Sequence, residues 1–326
     1  MDYRKLGSSD IEVSEISFGC WTMGGRNWDY GGSPAGWADV DEEEIMAGIE
    51  VGLDAGVNHF DNADVYGNGR AERMLARVLD RLGVKSDDVV IATKVGHFPG
   101  TAEHAYEPAH IRHQCEQSLT NLRRDYIDLY YFHHGDFGEN DKYLDDAVAV
   151  MNDLIAEGKV RQKGLSAYSA EDFQRLVPAV QPCVIQSWAN ALSDEFIRED
   201  SPVQRLMAEH ELGFVAFSPL AQGRLLDKYD PGDPPQFPEG DNRRGNEAFS
   251  AEALRRLKPK LEKLEARFGR TTEDLAAMAL RFVLAHPHVA CVIPGFRNDR
   301  QAGCNVAAAG RSMREEDVIF IRETLA

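Results

Sequence analysis

The stretch VVIATKVGHFPGTAEHAYEPAHIRHQCEQSLTNLRRDYIDLYYFHH, residues 89–134, decides the fold. Two short apolar runs rich in β-branched and aromatic residues, VVIAT (89–93) and IDLYYF (127–132), flank a helical pattern, HIRHQCEQSLTNLRR (110–124). An apolar run of that length, bounded by turn residues, reads as a buried strand. A strand, helix, strand unit of this length pairs its strands in parallel through a right-handed crossover. The same unit recurs from end to end. EISFGCW (15–21) and VNHF (57–60) precede these two runs, and VRQKGL (160–165), CVI (183–185), FVAF (214–217) and ACVI (290–293) follow them. Helical patterns lie between, among them DEEEIMAGIEVGLDAG (41–56), where Asp41 and Glu44 form a capping-box pattern. Gly56, Gly83, Gly158 and Gly213 stand where helices stop.

Eight such units predict an α/β fold, a (β/α)8 TIM barrel formed by one domain over residues 1–326. The doubly wound alternative fits less well, because GNGRAE (67–72) lacks the third glycine of a dinucleotide fingerprint. YRKLGSSDIEVS (3–14) reads as a β-hairpin plugging the barrel bottom. The Pro/Gly/Asp-rich YDPGDPPQFPEGDNRRGNE (229–247) reads as a long lid or rim loop after strand seven.

Composition narrows the function. A 43% hydrophobic, 28% charged chain has the balance of a soluble globular protein. A net charge of −18 argues against nucleic-acid binding. It also means that any phosphate ligand must be held by local groups against an unfavourable field. No apolar run reaches membrane-spanning length, and MDYRKLGSSDIEVS lacks the apolar core of a secretory signal. Five scattered cysteines without a C-x-x-C pair complete the expectation of a reduced, cytoplasmic chain.

Chemistry in such a barrel sits at the C-terminal ends of its strands. Asp61, Lys94, His133, Ser166, Gln186, Ser218 and Pro294–Gly295 follow strands two to eight. A single lysine or histidine there is usually a solvated terminus or a satisfied core residue. An Asp, a Lys, a His and the nearby Tyr66 on one rim form a titratable cluster with its own logic. A tyrosine ionises near pH ~10. A neighbouring ammonium favours the phenolate, and a carboxylate keeps that ammonium charged. The His then donates a hydrogen bond to a developing alkoxide, with Tyr as general acid, which is the pattern of carbonyl reduction.

These residues resemble the aldo-keto reductases over nearly the whole chain. GVNHFDNADVYGNGRAE (56–72), IATKVG (91–96) and EQSLTNLRRDYIDLYYFHHGD (116–136) are similar to the family's early motifs. GKVRQKGLSAYS (158–169), AFSPLAQGRLLDKY (216–229) and IPGFRNDRQAGCN (293–305) match its later blocks in order. The resemblance implies a tetrad of Asp61, Tyr66, Lys94 and His133, and NADP(H) as cofactor. Ser166 and Gln186 would hold the carboxamide, and Ser218, Pro219, Leu220, Gln222 and Gly223 would wrap the pyrophosphate. Gly295, Arg297, Gln301 and Asn305 would hold the 2′-phosphate and adenine, with Gly19, Trp21 and Asp61 completing the cofactor rim. Independently, a helix opening beside Arg297 is an anion site.

Trp28, Phe98, His134 and Trp188 are the expected substrate contacts, with Trp37, Phe137 and Asp136 in nearby loops. The substrate would be a small carbonyl or sugar-type molecule. The sequence departs from the family pattern at Asn62, Ala167, Ala189 and Cys304. Tyr is usual at 189, so the nicotinamide is expected to lack its stacking ring, with Trp188 on the substrate side. His110 and His113, three apart on a helical pattern, read as a solvated face rather than a metal site. The alternative function is a cofactor-binding regulatory subunit of another protein assembly. Neither nucleic acid nor membrane is an expected partner.

Overall fold

Each of the eight apolar runs forms a parallel strand, and the strands lie in sequence order around a barrel. The computed structural model describes residues 1–30 and 33–326. A hairpin of β1 (Tyr3–Lys5) and β2 (Glu12–Ser14) comes first. The first barrel strand is β3 (Phe18–Gly19), followed by a short ribbon of β4 (Asp29–Tyr30) and β5 (Ser33–Pro34). The remaining barrel strands are β6 (His59–Asp61), β7 (Val90–Val95), β8 (Ile127–Phe132), β9 (Val160–Ser166), β10 (Val184–Trp188), β11 (Gly213–Phe217) and β12 (Val289–Val292).

The seam closes irregularly. Gly19 N–H donates to Pro294 O, Val292 N–H donates to Glu15 O, and residues 16 and 19 bridge 292 and 295 in parallel. The expected seven-residue first strand therefore shrinks to two residues in regular pairing.

Helices form the outer layer: α1 (Glu42–Asp54), α2 (Arg70–Leu82), α3 (Pro108–Leu122), α4 (Leu144–Ala156), α5 (Ala170–Val180), α6 (Pro202–Glu209), α7 (Ala251–Phe268), α8 (Thr272–Leu284), α9 (Asp299–Val306) and α10 (Glu315–Leu325). Local rules set their starts. Asp41 caps α1 by accepting from the N–H of Glu43 and Glu44, and three glutamates fill the positive first turn. Pro108 opens α3, where its missing N–H is not needed.

The barrel interior is filled from below. Leu6, Ile11 and Val13 of the hairpin pack with Leu129, Tyr131, Val184, Val215 and Cys291. Burying each of those three plug residues contributes about 1.5–3 kcal/mol. Gly213 is not a helix stop. It begins β11, where an added Cβ would meet the Gly7 nitrogen at 2.8 Å, so the plug's close approach demands glycine there.

The loop after β11 does not stand free. Asn242 N–H donates to Gly36 O at 2.7 Å, and the Arg243 guanidinium lies 3.7 Å over the Trp37 ring while pairing with buried Asp241. It is fastened to the loop that follows β3.

Candidate active site

Asp61, Lys94, Ser166 and Gln186 lie within the ends of their strands rather than after them. The side chains of Asp61, Lys94 and Gln186 bond one another inside the mouth, so the ladder continues through them. Lys94 is fully buried and spends its ammonium on three oxygens: Asp61 Oδ1 at 2.5 Å, Asn62 O at 2.7 Å and Tyr66 Oη at 3.3 Å. Asp61 Oδ2 accepts from Gln186 Nε2 at 2.8 Å. A buried charge pair survives only when its remaining hydrogen-bonding capacity is also met, and here it is.

The turn after β6 carries Tyr66. Gly67, Asn68 and Gly69 all have positive φ, and a Cβ on Gly67 would meet Gly24 O at 2.5 Å. This tight turn swings the phenol back over Lys94. Trp21 stacks on the Tyr66 ring at 5.8 Å and 15°, anchored by its indole N–H to Ala35 O. Trp28, donating to Gly25 O, closes a second side at 6.0 Å.

His133 follows β8, with its ring edge-on to Tyr66 at 5.9 Å. Burial first, then the nearby His97 and Lys94, hold its imidazole well below the usual histidine range, so it is neutral at physiological pH. Its Nδ1 is buried with no hydrogen-bond partner among the described residues. The site therefore sets a neutral imidazole and a lysine-bound phenol side by side, suited to hydrogen bonding and proton transfer at one oxygen.

Beneath the tetrad lies a carboxyl pair to which sequence reasoning gave no role. Burial pushes Asp64 up to about 7, against the hydrogen bond from Gln114 Nε2 at 2.8 Å. Burial also raises Glu72, which accepts from Thr93 Oγ1 and Asn121 Nδ2. Backbone bonds from Asp64 N–H to Lys94 O and from Gly69 N–H to Asp64 O tie this layer to the turn carrying Tyr66.

The expected substrate residues divide. Phe98 is exposed on the loop after β7. Trp188 shares the face of Gln186, two residues earlier on β10, and is half-buried. Ala189, the residue after β10, is fully buried in the main apolar core. His134 instead turns into its loop: Nε2–H donates to Gly96 O at 2.7 Å, and Nδ1 accepts from Asp136 N–H. Phe137 is core, stacked on Tyr106. Only His113 of the expected solvated pair is exposed; His110 is buried, its ring bonded to Phe98 O. His97, unremarked in the sequence, sits 4.4 Å from the His133 ring and 3.0 Å from Tyr168 Oη.

In the expected cofactor segment after β11, Ser218, Ala221, Gln222 and Gly223 all have positive φ, so the chain turns tightly there. Pro219 and Leu220 lie within that segment, and Gly223 N–H returns to Leu220 O. Near α9, Gln301 accepts from Arg297 N–H, and Asn305 donates to Gly295 O, so both hold the loop that presents Arg297. Ser166 ends β9, in register with Gln186, and Gly19 is in register with Asp61.

Lys228 and Arg243 are additional cations that sequence reasoning left out. Burial first, then the charges of Arg243 and Arg297, lower Lys228, while Arg243 is itself paired with Asp241. The only sequence signal for them was their position in the loop after strand seven. Arg297 beside the start of α9, with Lys228 in electrostatic reach, fits a phosphate-rich cofactor.

Similarity to known proteins follows the same lines. A solved aldo-keto reductase from Bacillus halodurans, AKR11C1 in its holo form, is 27% identical and superposes with a TM-score of 0.76, covering 99% of this chain and 96% of that one. The glycerol dehydrogenase AKR11B4 of Gluconobacter oxydans is 26% identical with a TM-score of 0.79, covering 99% and 95%. A probable voltage-gated potassium channel subunit beta of Arabidopsis thaliana is 30% identical over 94% of this chain and 91% of its own. With the family model for aldo/keto reductases matching residues 15–325, the barrel and its four buried residues have their relatives: the chain belongs to the aldo/keto reductase family.

Proposed function

We propose that this oxidoreductase reduces an aldehyde or ketone with NADPH, or oxidises the corresponding alcohol, with Tyr66 as general acid or base. One observation carries the reading: a buried ammonium shared between Asp61 and the Tyr66 hydroxyl, beside a neutral His133. When bound, the nicotinamide supplies the hydride. Tyr66 gives its proton from Oη to the substrate oxygen. Lys94 stabilises the negative charge left on Oη, and Asp61 keeps Lys94 charged and aimed. His133, uncharged, orients the substrate oxygen by a hydrogen bond.

Preference for NADPH over NADH is supported by Arg297, held at the start of α9 by Gln301 in a chain of net charge −18. The glycerol dehydrogenase likeness supports a hydroxylated, sugar-type substrate.

The name of the Arabidopsis relative raises a second reading, a cofactor-holding subunit without turnover. Holding a cofactor does not call for an ammonium aimed at a phenol. The test is NADPH consumption with a panel of short aldehydes. Tyr66→Phe should lower turnover by at least about 10²-fold while leaving NADPH binding intact. Absence of turnover with both cofactors would favour the second reading.

A further inference from the structure

We propose that the groove beside the mouth, between Tyr168–Trp188 and residues 195–202, is an accessory subsite for a hydroxylated, sugar-type ring on the non-reacting side of the substrate. The inference rests on the carbonyl-reductase reading above and adds the shape of the substrate to it. The groove is open to solvent and offers about 440 Å³, and Tyr168, Trp188, Glu195, Phe196, Arg198 and Ser201 line it. That volume is within the range of small-ligand sites, roughly 300–1,000 Å³.

Tyr168 is the wall shared with the catalytic pocket. Its hydroxyl donates to His133 O at 3.2 Å and lies 3.0 Å from His97 Nε2. Its ring is nearly parallel to that of His97, met at the hydroxyl end with centroids 6.3 Å apart, and to that of Trp188, at 6.2 Å. Aromatic surface thus runs unbroken from the ring beside His133 into the groove. A substrate reacting at Tyr66 and longer than one ring would extend along it.

The groove is built, not incidental. The Trp188 indole N–H donates to Glu195 Oε1 at 2.6 Å, and its ring meets Phe196 edge-on at 5.0 Å, which fixes the platform. The loop beyond β10 is tied at both ends. Asn190 and Ser193 exchange backbone hydrogen bonds, Asn190 Nδ2 donates to Ser218 O, and Arg322 pairs with Asp194 at 2.8 Å. A preordered wall loses little entropy when a ligand arrives.

Its chemistry selects the ligand. Aromatic faces accept the C–H face of a pyranose. Hydroxyls at the ring edge can reach the Glu195 carboxylate and the half-exposed Arg198 guanidinium. A second aryl ring would stack equally well, but it would leave both charged groups without hydrogen bonds from the ligand. Glu195 and Asp200 at the lip, in a chain of net charge −18, disfavour an anionic group.

The test uses the full chain with NADPH and two glycosides that have no carbonyl, methyl β-glucoside and methyl β-cellobioside, followed by saturation-transfer NMR. The disaccharide should bind about tenfold tighter, the size of one aromatic stack with one hydrogen bond. Glu195→Ala, at an exposed position, and Trp188→Ala should each remove most of that difference. In kinetics, the kcat/KM advantage of a reducing disaccharide over its monosaccharide should fall in both variants, through KM. Equal binding of the two glycosides, or an advantage untouched by both variants, overturns the proposal. So does tighter binding of a biphenyl probe than of the disaccharide. Turnover of a short aldehyde with no gain from the second ring removes the subsite and keeps the reductase. Disaccharide binding lost in Glu195→Ala, with no turnover of any aldehyde, keeps the subsite and removes the reductase.

Discussion

Replacing Lys94 by methionine separates what the buried lysine does for stability from what it does for chemistry. The substitution removes an ammonium 2.5 Å from Asp61 Oδ1 and 3.3 Å from Tyr66 Oη, at a point fully excluded from water. Asp61, 1% exposed, keeps only the amide of Gln186. Breaking a buried pair in this way leaves an uncompensated charge and costs about 3–5 kcal/mol. At about 2 °C per kcal/mol for a chain of this size, Tm should fall by about 6–10 °C.

Adding Asp61→Asn removes the stranded charge and retains a partner for Gln186, so the double variant should recover most of the loss. Turnover should not recover. Tyr66 still lacks the donor that stabilises its deprotonated oxygen, and the deficit should remain at least about 10²-fold. Thermal melts and NADPH-linked kinetics on the parent, both single variants and the double variant form a mutant cycle. A Lys94→Met protein melting within about 1 °C of the parent would refute the stranded-charge argument. A double variant with restored turnover would refute the link from Lys94 to Tyr66.

Other consequences follow from the same geometry. Arg297→Ala should weaken NADPH binding by on the order of 1.5–3 kcal/mol, at least about tenfold, with little effect on NADH. Fluorescence titration at low and high salt checks this, and equal parent affinity for both cofactors would contradict it. Asp64, pushed up to about 7, keeps its proton in the folded chain where the unfolded chain, near pH ~4, has lost it. Its contribution is therefore complete below about pH 4 and lost as pH rises towards about 7, at up to ~1.4 kcal/mol per pH unit. Asp64→Asn should flatten that part of the stability profile, and denaturant melts of variant and parent that stay parallel between pH 5 and 8 would count against it. Ala189→Tyr should overpack the main apolar core and cost about 1–3 kcal/mol without tightening NADPH binding, read by melting and titration.

The eight strands were legible because parallel strands buried on both faces leave uninterrupted apolar runs, and turn residues punctuate them. Their ends were less legible. A polar residue such as Lys94 or Gln186 signals a strand end to a reader of the sequence. In the fold it continues the ladder, because Asp61 arrives from another strand to satisfy it. Position alone gathered the titratable cluster, since strand ends share one rim in any such barrel, and the family resemblance named it as a candidate tetrad.

What the spacing did not carry was direction and distance. His133 and His134 are adjacent, yet one faces Tyr66 and the other is bound to Gly96 O. Trp188 shares the face of Gln186 by strand alternation, but its aromatic neighbours come from loops that periodicity cannot place. Lys228 and Arg297 are distant along the chain, and only the closed barrel sets them within electrostatic reach of each other. Periodicity is written along one dimension and survives in the sequence. The ionisation of Asp64 and the convergence of those cations depend on desolvation and on distances across the barrel, which exist only once the chain has closed on itself.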